Sequence, residues 1–203
     1  EPTFSVESGA TAYKAIATTS MTVGTWYHSA CVREGTDIKL YVNGVLEATT
    51  AIGMTSINNV SGRHIKLARI DGFGGHTNME MDELRIWDDA RSAAEIADLK
   101  DCEIPTAYTD LLANYHFNQG TAGGSNPGET SLGDDAGSSR DGALTGFALT
   151  GGTSNWVAPG PTPNGVSCLP VHNVTKDLYY STIQDAVDGA DPGDDISVSS
   201  GTY

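Results

Sequence analysis

The sequence predicts an all-β fold: an antiparallel β-sandwich with one short helix, followed by a separate C-terminal segment. Three observations predict it. The 203 residues include 24 Gly and 8 Pro but only 18% charged and 38% hydrophobic residues, which suits many short strands and turns rather than helical bundles. Asn43-Gly44 stands between two alternating runs, and both positions of a tight hairpin turn want positive φ. Leu84 and Ile86 share one face of a run whose other face carries Glu83 and Arg85, and the spacing turns helical from Ser92.

The elements follow in chain order. Residues 3–17 read as strand, Gly turn, strand. Trp26-Tyr27 precede an apolar strand, HSACV, and Arg33-Glu34-Gly35-Thr36 makes a turn. Ile38, Leu40 and Val42 alternate into the Asn43-Gly44 turn, and residues 45–48 return. Residues 65–68 are expected to read as a strand and Asp71-Gly72-Phe73-Gly74-Gly75 as a loop. Ser92 and Glu95 have the spacing of a capping box, with a helix ending near Lys100. Residues 111–117, 143–144 and 147–149 read as strands around a Gly-rich loop, and residues 159–163, PGPTP, as a linker. Beyond it, a Ser/Thr cap with apolar residues at 183, 186, 187 and 190 predicts one amphipathic helix. A turn at Asp191-Pro192-Gly193-Asp194 and a strand through Ile196 and Val198 follow. The expected domains are 1–158, a linker at 159–167, and 168–203.

The formal net charge is −15, with too few Lys and Arg to neutralise a phosphate backbone, so nucleic acid is excluded as a partner. Neither a signal peptide nor an apolar run of membrane-spanning length is present, so no membrane insertion is expected. Cys31, Cys102 and Cys168 form no CxxC pair. They allow one disulfide with a free thiol or three buried thiols, and the apolar strand around Cys31 leans toward thiols. Asn59-Val60-Ser61 and Asn173-Val174-Thr175 are glycosylation sequons in a eukaryotic secretory setting.

WYHSACVREGTDIKLYVNGVLEATT followed by MDELRIWDDARSAAEI resembles the laminin-G-like (concanavalin-A-like) jelly-roll modules of secreted bacterial proteins. LLANYHFNQGTAGG, DDAGSSRDGALTGF and TSNWV resemble the segment that often follows, so the resemblance covers about residues 3–158. It implies a jelly roll in which the strand ending at Trp87 crosses the sandwich interior and the short helix covers its end. The family's opening LDFDGxDDYV and ISxWVK strands do not precede Thr3, which implies a jelly roll incomplete at its N-terminus. YYSTIQDAVDGADPGDDISVSSGTY resembles the opening cap and coil of a right-handed parallel β-helix, which implies a longer parent protein.

The chemistry expected is binding. Pentraxin-like relatives hold Ca²⁺ at the sheet rim, and Asp71 in IDGFGG resembles that ligand loop, while Asp82 and Glu83 fall where jelly-roll modules often hold an ion against the first strand. Ca²⁺ takes about six to eight oxygen ligands. Sugars stack on aromatic rings and bond to Asn or His, for which Tyr13, Tyr41, Phe73, His76 and Asn78 are the candidates, with Tyr115 and Trp156 also available. Trp26 and Trp87 are assigned to the core. The glucanase pattern ExDxxE starts at Glu80 and Asp82, but Leu84 and Arg85 occupy the places of its second glutamate, so no glycoside hydrolysis is expected. His28, His64, His76, His116 and His172 lack HExxH spacing and read as surface or hydrogen-bonded residues. The expected function is a non-catalytic carbohydrate- or protein-binding adhesion module of a secreted or cell-surface protein, engaging an extracellular glycan or protein with Ca²⁺. The alternative is an accessory domain of a polysaccharide lyase or hydrolase whose active site lies outside this chain.

Overall fold

The structure, a computed structural model, describes residues 1–8, 11–54, 79–104, 108–137, 139–150, 155–157, 167–169, 171–176, 178–180 and 182–198. The strand expected at 65–68, the loop at 71–75 and the linker at 159–163 lie outside them. The chain divides into two compact units. One comprises Glu1–Met81 with Ala90–Ala93, and the other Asp82–Asp89 with Ala94–Tyr203.

In the first unit β1 (Thr3–Ser8) and β2 (Thr11–Ile16) form an antiparallel hairpin. Its register pairs Phe4 with Ala15 and Val6 with Tyr13, so period-two alternation points these four to one face. β3 (Ser29–Glu34), β4 (Asp37–Val42) and β5 (Val45–Ala51) form a second antiparallel sheet. Asn43 and Gly44 turn β4 into β5 with φ of 50° and 81°, the doubly positive turn the dipeptide foretold. The two sheets pack through Ala15, Ala17, Ile38, Leu40, Val42 and Ile52, flanked by Phe4, Val6, Tyr13, Tyr27, Ala48 and Met54. Each of the larger side chains contributes about 1.5–3 kcal/mol by leaving water.

One carboxylate ties these sheets. Glu47 of β5 accepts hydrogen bonds from Thr18 N–H at 2.8 Å, Thr18 Oγ1 at 3.1 Å, Thr19 N–H at 2.8 Å and Thr19 Oγ1. The Thr19 hydroxyl and amide, followed by those of Thr18, hold its pKa below the ordinary carboxylate range. Trp26 corrects an expectation: it lies outside β3 and is 37% exposed. Its neighbour Tyr27 takes the inward place, and the Tyr27 hydroxyl accepts from Thr22 N–H at 3.2 Å.

In the second unit β6 (Leu84–Trp87) pairs antiparallel with β7 (Leu111–Tyr115), with a bulge between Ile86 and Trp87. Leu84 and Ile86 are half-buried and pack against Ala113, Tyr115, Leu132 and Trp156. α1 (Ala93–Leu99) occupies the span foretold after Ser92, with Ile96 buried. β8 (Ser131–Leu132) and β9 (Gly142–Ala143) make a small ladder. Residues 147–149 form no strand, because Ala148 exchanges its backbone bonds with Asn155 and Leu149 C=O accepts from Asn126 N–H at 2.5 Å.

The cysteines also correct an expectation. Cys102 and Cys168 form a disulfide across 66 residues, with Cα atoms 5.0 Å apart, leaving Cys31 as an exposed free thiol. The lean toward three thiols failed because nothing local to either residue reveals that the end of α1 lies beside 167–169.

The last strands are β10 (Val171–Asn173), β11 (Leu178–Tyr180) and β12 (Ile196–Val198), with α2 (Ile183–Asp188) between the last two. Thr182 caps α2 by accepting from Asp185 N–H at 3.1 Å and donating to Asp185 Oδ2 at 2.6 Å. β10 is central and pairs antiparallel with both neighbours.

Candidate functional site

The second unit gathers charge where β6 begins and β7 ends. Glu83 precedes β6 in a left-handed conformation, φ 50°, and His116 follows β7, with Phe117 next to it at φ 58°. The register sets Arg85 opposite Asn114, so Glu83 and Arg85 share a face with Asn114 and His116. Glu83 Oε1 lies 2.8 Å from His116 Nδ1, and Arg85 Nη2 donates to Glu83 Oε2 at 2.9 Å. These side chains are nearly enclosed: Glu83 is 8%, Arg85 10% and His116 12% exposed. In the neutral ring Nδ1–H donates to Glu83, while Nε2 accepts from Asn114 Nδ2 at 3.2 Å.

Glu103, just after the disulfide, accepts from Asn118 Nδ2 at 2.8 Å, and Asp135 Oδ2 stands 4.0 Å from His116 Nε2. Ligand atoms of Glu83, Glu103 and His116 lie within 4.8 Å of one another. Burial opposes charge on His116, but the Glu83 hydrogen bond and the negative charges of Glu83, Asp135 and Glu103 outweigh it, so its pKa rises above the ordinary value. Burial, then the charge of neighbouring Glu83, pushes the Asp82 carboxyl up to about 6. Asp82 Oδ2 is buried without a hydrogen-bond partner. Burial likewise raises Asp135, against the pull of His116.

Glu83 thus meets both the guanidinium and the imidazole, Glu103 and Asp135 stand close to the imidazole, and Asp82 adds a further negative charge nearby. The arrangement suits a cation more than it suits proton transfer to a substrate, because excess negative charge and an unmet buried oxygen are both relieved by a positive ion. Asp82, Glu83 and Glu103 are hard oxygen donors that fit Ca²⁺, whereas the imidazole nitrogen fits a borderline metal better.

Of the residues the sequence nominated for a metal, Glu83 stands in this cluster, Asp82 is its chain neighbour with a buried unpartnered oxygen, and Asp71 lies outside the described residues. Of those nominated for sugar, Tyr13 is half-buried against the first unit's core and Tyr41 is 3% exposed, so its ring is closed to stacking. Phe73, His76 and Asn78 lie outside the described residues. Trp156, 5% exposed, packs edge-on against Phe147. Sequence reasoning missed Glu103, His116 and Asp135. The signal for His116 was its parity with Asn114 in LLANYHF, opposite the inward Ala113 and Tyr115; nothing local marked Glu103.

Residues 1–97 match the laminin-G-type family model described as the concanavalin A-like lectin/glucanases superfamily. The match takes in Asp82 and Glu83 and stops before Glu103, His116 and Asp135. A solved structure of a candidate carbohydrate-binding protein from Bacteroides ovatus is similar over 66% of this chain at 23% identity and a TM-score of 0.50. The similarity spans only 37% of that protein. An S-layer domain-containing protein of Clostridium thermocellum aligns over 44% of this chain and 51% of its own, at 24% identity and a TM-score of 0.30. No curated protein matches the chain. The family match and the observed antiparallel sheets define an all-β protein of the jelly-roll sandwich class.

Proposed function

We propose that this chain is a non-catalytic binding module of a secreted or cell-surface protein, engaging an extracellular glycan or protein with the help of a divalent cation. The observation that carries the cation reading is the convergence of Glu83, Glu103 and His116, whose ligand atoms lie within 4.8 Å of one another, next to Asp82, whose buried Oδ2 has no partner. Glu83, Glu103 and His116 would hold the ion, with Asp82 beside them, and Ca²⁺ is the first candidate. A bound cation would fix these carboxylates and neutralise them. The superfamily match and the fold of the Bacteroides ovatus protein support a glycan as the ligand class. The Cys102–Cys168 disulfide supports an oxidising, extracellular setting.

The runner-up role, accessory domain of a polysaccharide lyase or hydrolase acting elsewhere in a longer protein, rests on the C-terminal segment. There the sequence resembles the opening of a β-helix and a Thr182-capped α2 lies before β12, while β10 pairs antiparallel with both β11 and β12 rather than in parallel.

Titration calorimetry with Ca²⁺ and then Mn²⁺, followed by glycan-array binding with and without EDTA, tests the proposal. Expected is one cation per chain, at least tenfold weaker in Glu103→Gln, and glycan signal that EDTA reduces. A chain that takes up neither ion and retains no glycan would be a structural spacer instead.

A further inference from the structure

The acidic cluster and the disulfide are mechanically joined. Cys102 directly precedes Glu103, and its partner stands alongside: Glu103 forms a parallel bridge with Ser167, and Cys168 N–H donates to Glu103 C=O at 2.7 Å. From the other side the Arg85 guanidinium donates to the carbonyls of Leu99 and Cys102 while it holds Glu83 Oε2 at 2.9 Å. Glu83 in turn grips His116 at 2.8 Å. An unbroken line of contacts therefore runs from the sulfur bridge through the Cys102 carbonyl, Arg85 and Glu83 to His116, and a second, shorter one reaches Glu103.

Buried charges hold their places only while each partner stays put, since a displaced one leaves an enclosed charge unmet. The bridge has a separate anchor as well. Cys168 packs against the apolar cluster of Ile104, Leu111 and Ala136, which does not depend on the sulfur–sulfur bond. Cutting that bond relaxes the Cys102–Glu103 peptide without dismantling the core beneath it.

We infer that the Cys102–Cys168 disulfide is a redox-sensitive support of the acidic cluster: its reduction lets Cys102 and Glu103 shift, loosens Arg85 from Glu83, and weakens cation binding there. An external dithiol supplies the two electrons and two protons. The sulfur–sulfur bond breaks, two thiols form, and the dithiol closes into its own disulfide. The cation part of this inference rests on the function proposed above; the mechanical part does not.

The test compares oxidised protein with protein reduced by dithiothreitol, in a Cys31→Ser background so that the exposed thiol cannot exchange. A Cys102→Ser/Cys168→Ser double variant repeats the reduced state without reductant. Two readouts are taken: Ca²⁺ affinity by calorimetry, and NMR signals of the Arg85 guanidinium protons, with amides of β4, β5 and β10 as references for the rest of the chain. Reduction is expected to weaken Ca²⁺ binding at least tenfold and to broaden or shift the Arg85 signals while the reference amides stay in place. Unchanged Arg85 signals, equal Ca²⁺ affinity in both states, or loss of the reference amides together with Arg85 would each overturn the inference. If the oxidised protein takes up no Ca²⁺ yet Arg85 still responds to reduction, the support role stands and the cation reading falls.

Discussion

Two carboxylates, Glu47 and Asp82, answer pH in opposite directions, and the reason is what each one faces. Glu47 meets amides and hydroxyls that favour its charged form, so its folded pKa lies below the unfolded one. Its stabilising contribution is present above the ordinary carboxylate pKa and is lost as pH falls through the depressed value. Asp82 meets burial and the charge of Glu83, so its folded pKa rises to about 6. Its cost to the fold is absent in acid and appears as pH climbs from about 4 toward 6. Asp82→Asn should therefore raise the thermal midpoint at pH 7, with the gain vanishing near pH 4; Glu47→Gln should lower it at pH 7 and matter least in strong acid. Scanning calorimetry at both pH values checks the pair, and equal shifts at the two pH values would contradict it. If Asp82 ligates a cation, binding also weakens below pH 6 as protons compete, approaching tenfold per pH unit for that one group, which calorimetric titrations across pH 5–7 would show.

At the scale of elements, the β4–β5 hairpin is where local sequence and tertiary structure agree most closely. Gly44 sits at φ 81°, where a side chain is strained, so Gly44→Ala should cost about 1–2 kcal/mol in denaturant unfolding. Asn43 tolerates the turn at φ 50° and also binds back, accepting from His28 N–H at 2.9 Å. The alternation of Leu84 with Ile86 and the helix after Ser92 were equally legible, because period-two and helical spacing are printed in consecutive residues. Trp26 and Tyr27 were not. Alternation says that one of the pair turns inward, but which one depends on the turn at Val23-Gly24 and on a hydroxyl reaching back to Thr22. Tyr41 shows the limit on the other face: a ring nominated for sugar is buried beside a bulge at Leu40/Tyr41 that a single strand cannot announce.

For the whole molecule, the net charge of −15 is the feature that acts everywhere at once. Like-charge repulsion opposes the compact state and is screened by salt, whose Debye length shrinks from about 10 Å at 0.1 M to about 3 Å at 1 M. Raising NaCl over that range should lift the thermal midpoint by several degrees, and millimolar Ca²⁺ should lift it further at constant ionic strength; the absence of that second increment would argue against a specific ion. The disulfide works at the same scale. By loop-closure entropy, a link spanning 66 residues is worth about 4 kcal/mol. The first unit has no such link among its described residues and relies on the packed faces of its two sheets.

The sequence by itself determined the all-β class, the Asn43-Gly44 hairpin, the parity of Leu84 and Ile86, both helices and the strongly acidic charge balance. These are set by neighbours a few residues apart, where backbone geometry leaves few choices. Only the tertiary structure decided that Cys102 meets Cys168, that Glu103 and His116 join Glu83, and that Tyr41 is closed while Trp26 is open. Each of those depends on which surfaces far apart in the chain come into contact. Periodicity fixes the face a residue occupies, but not what that face will meet.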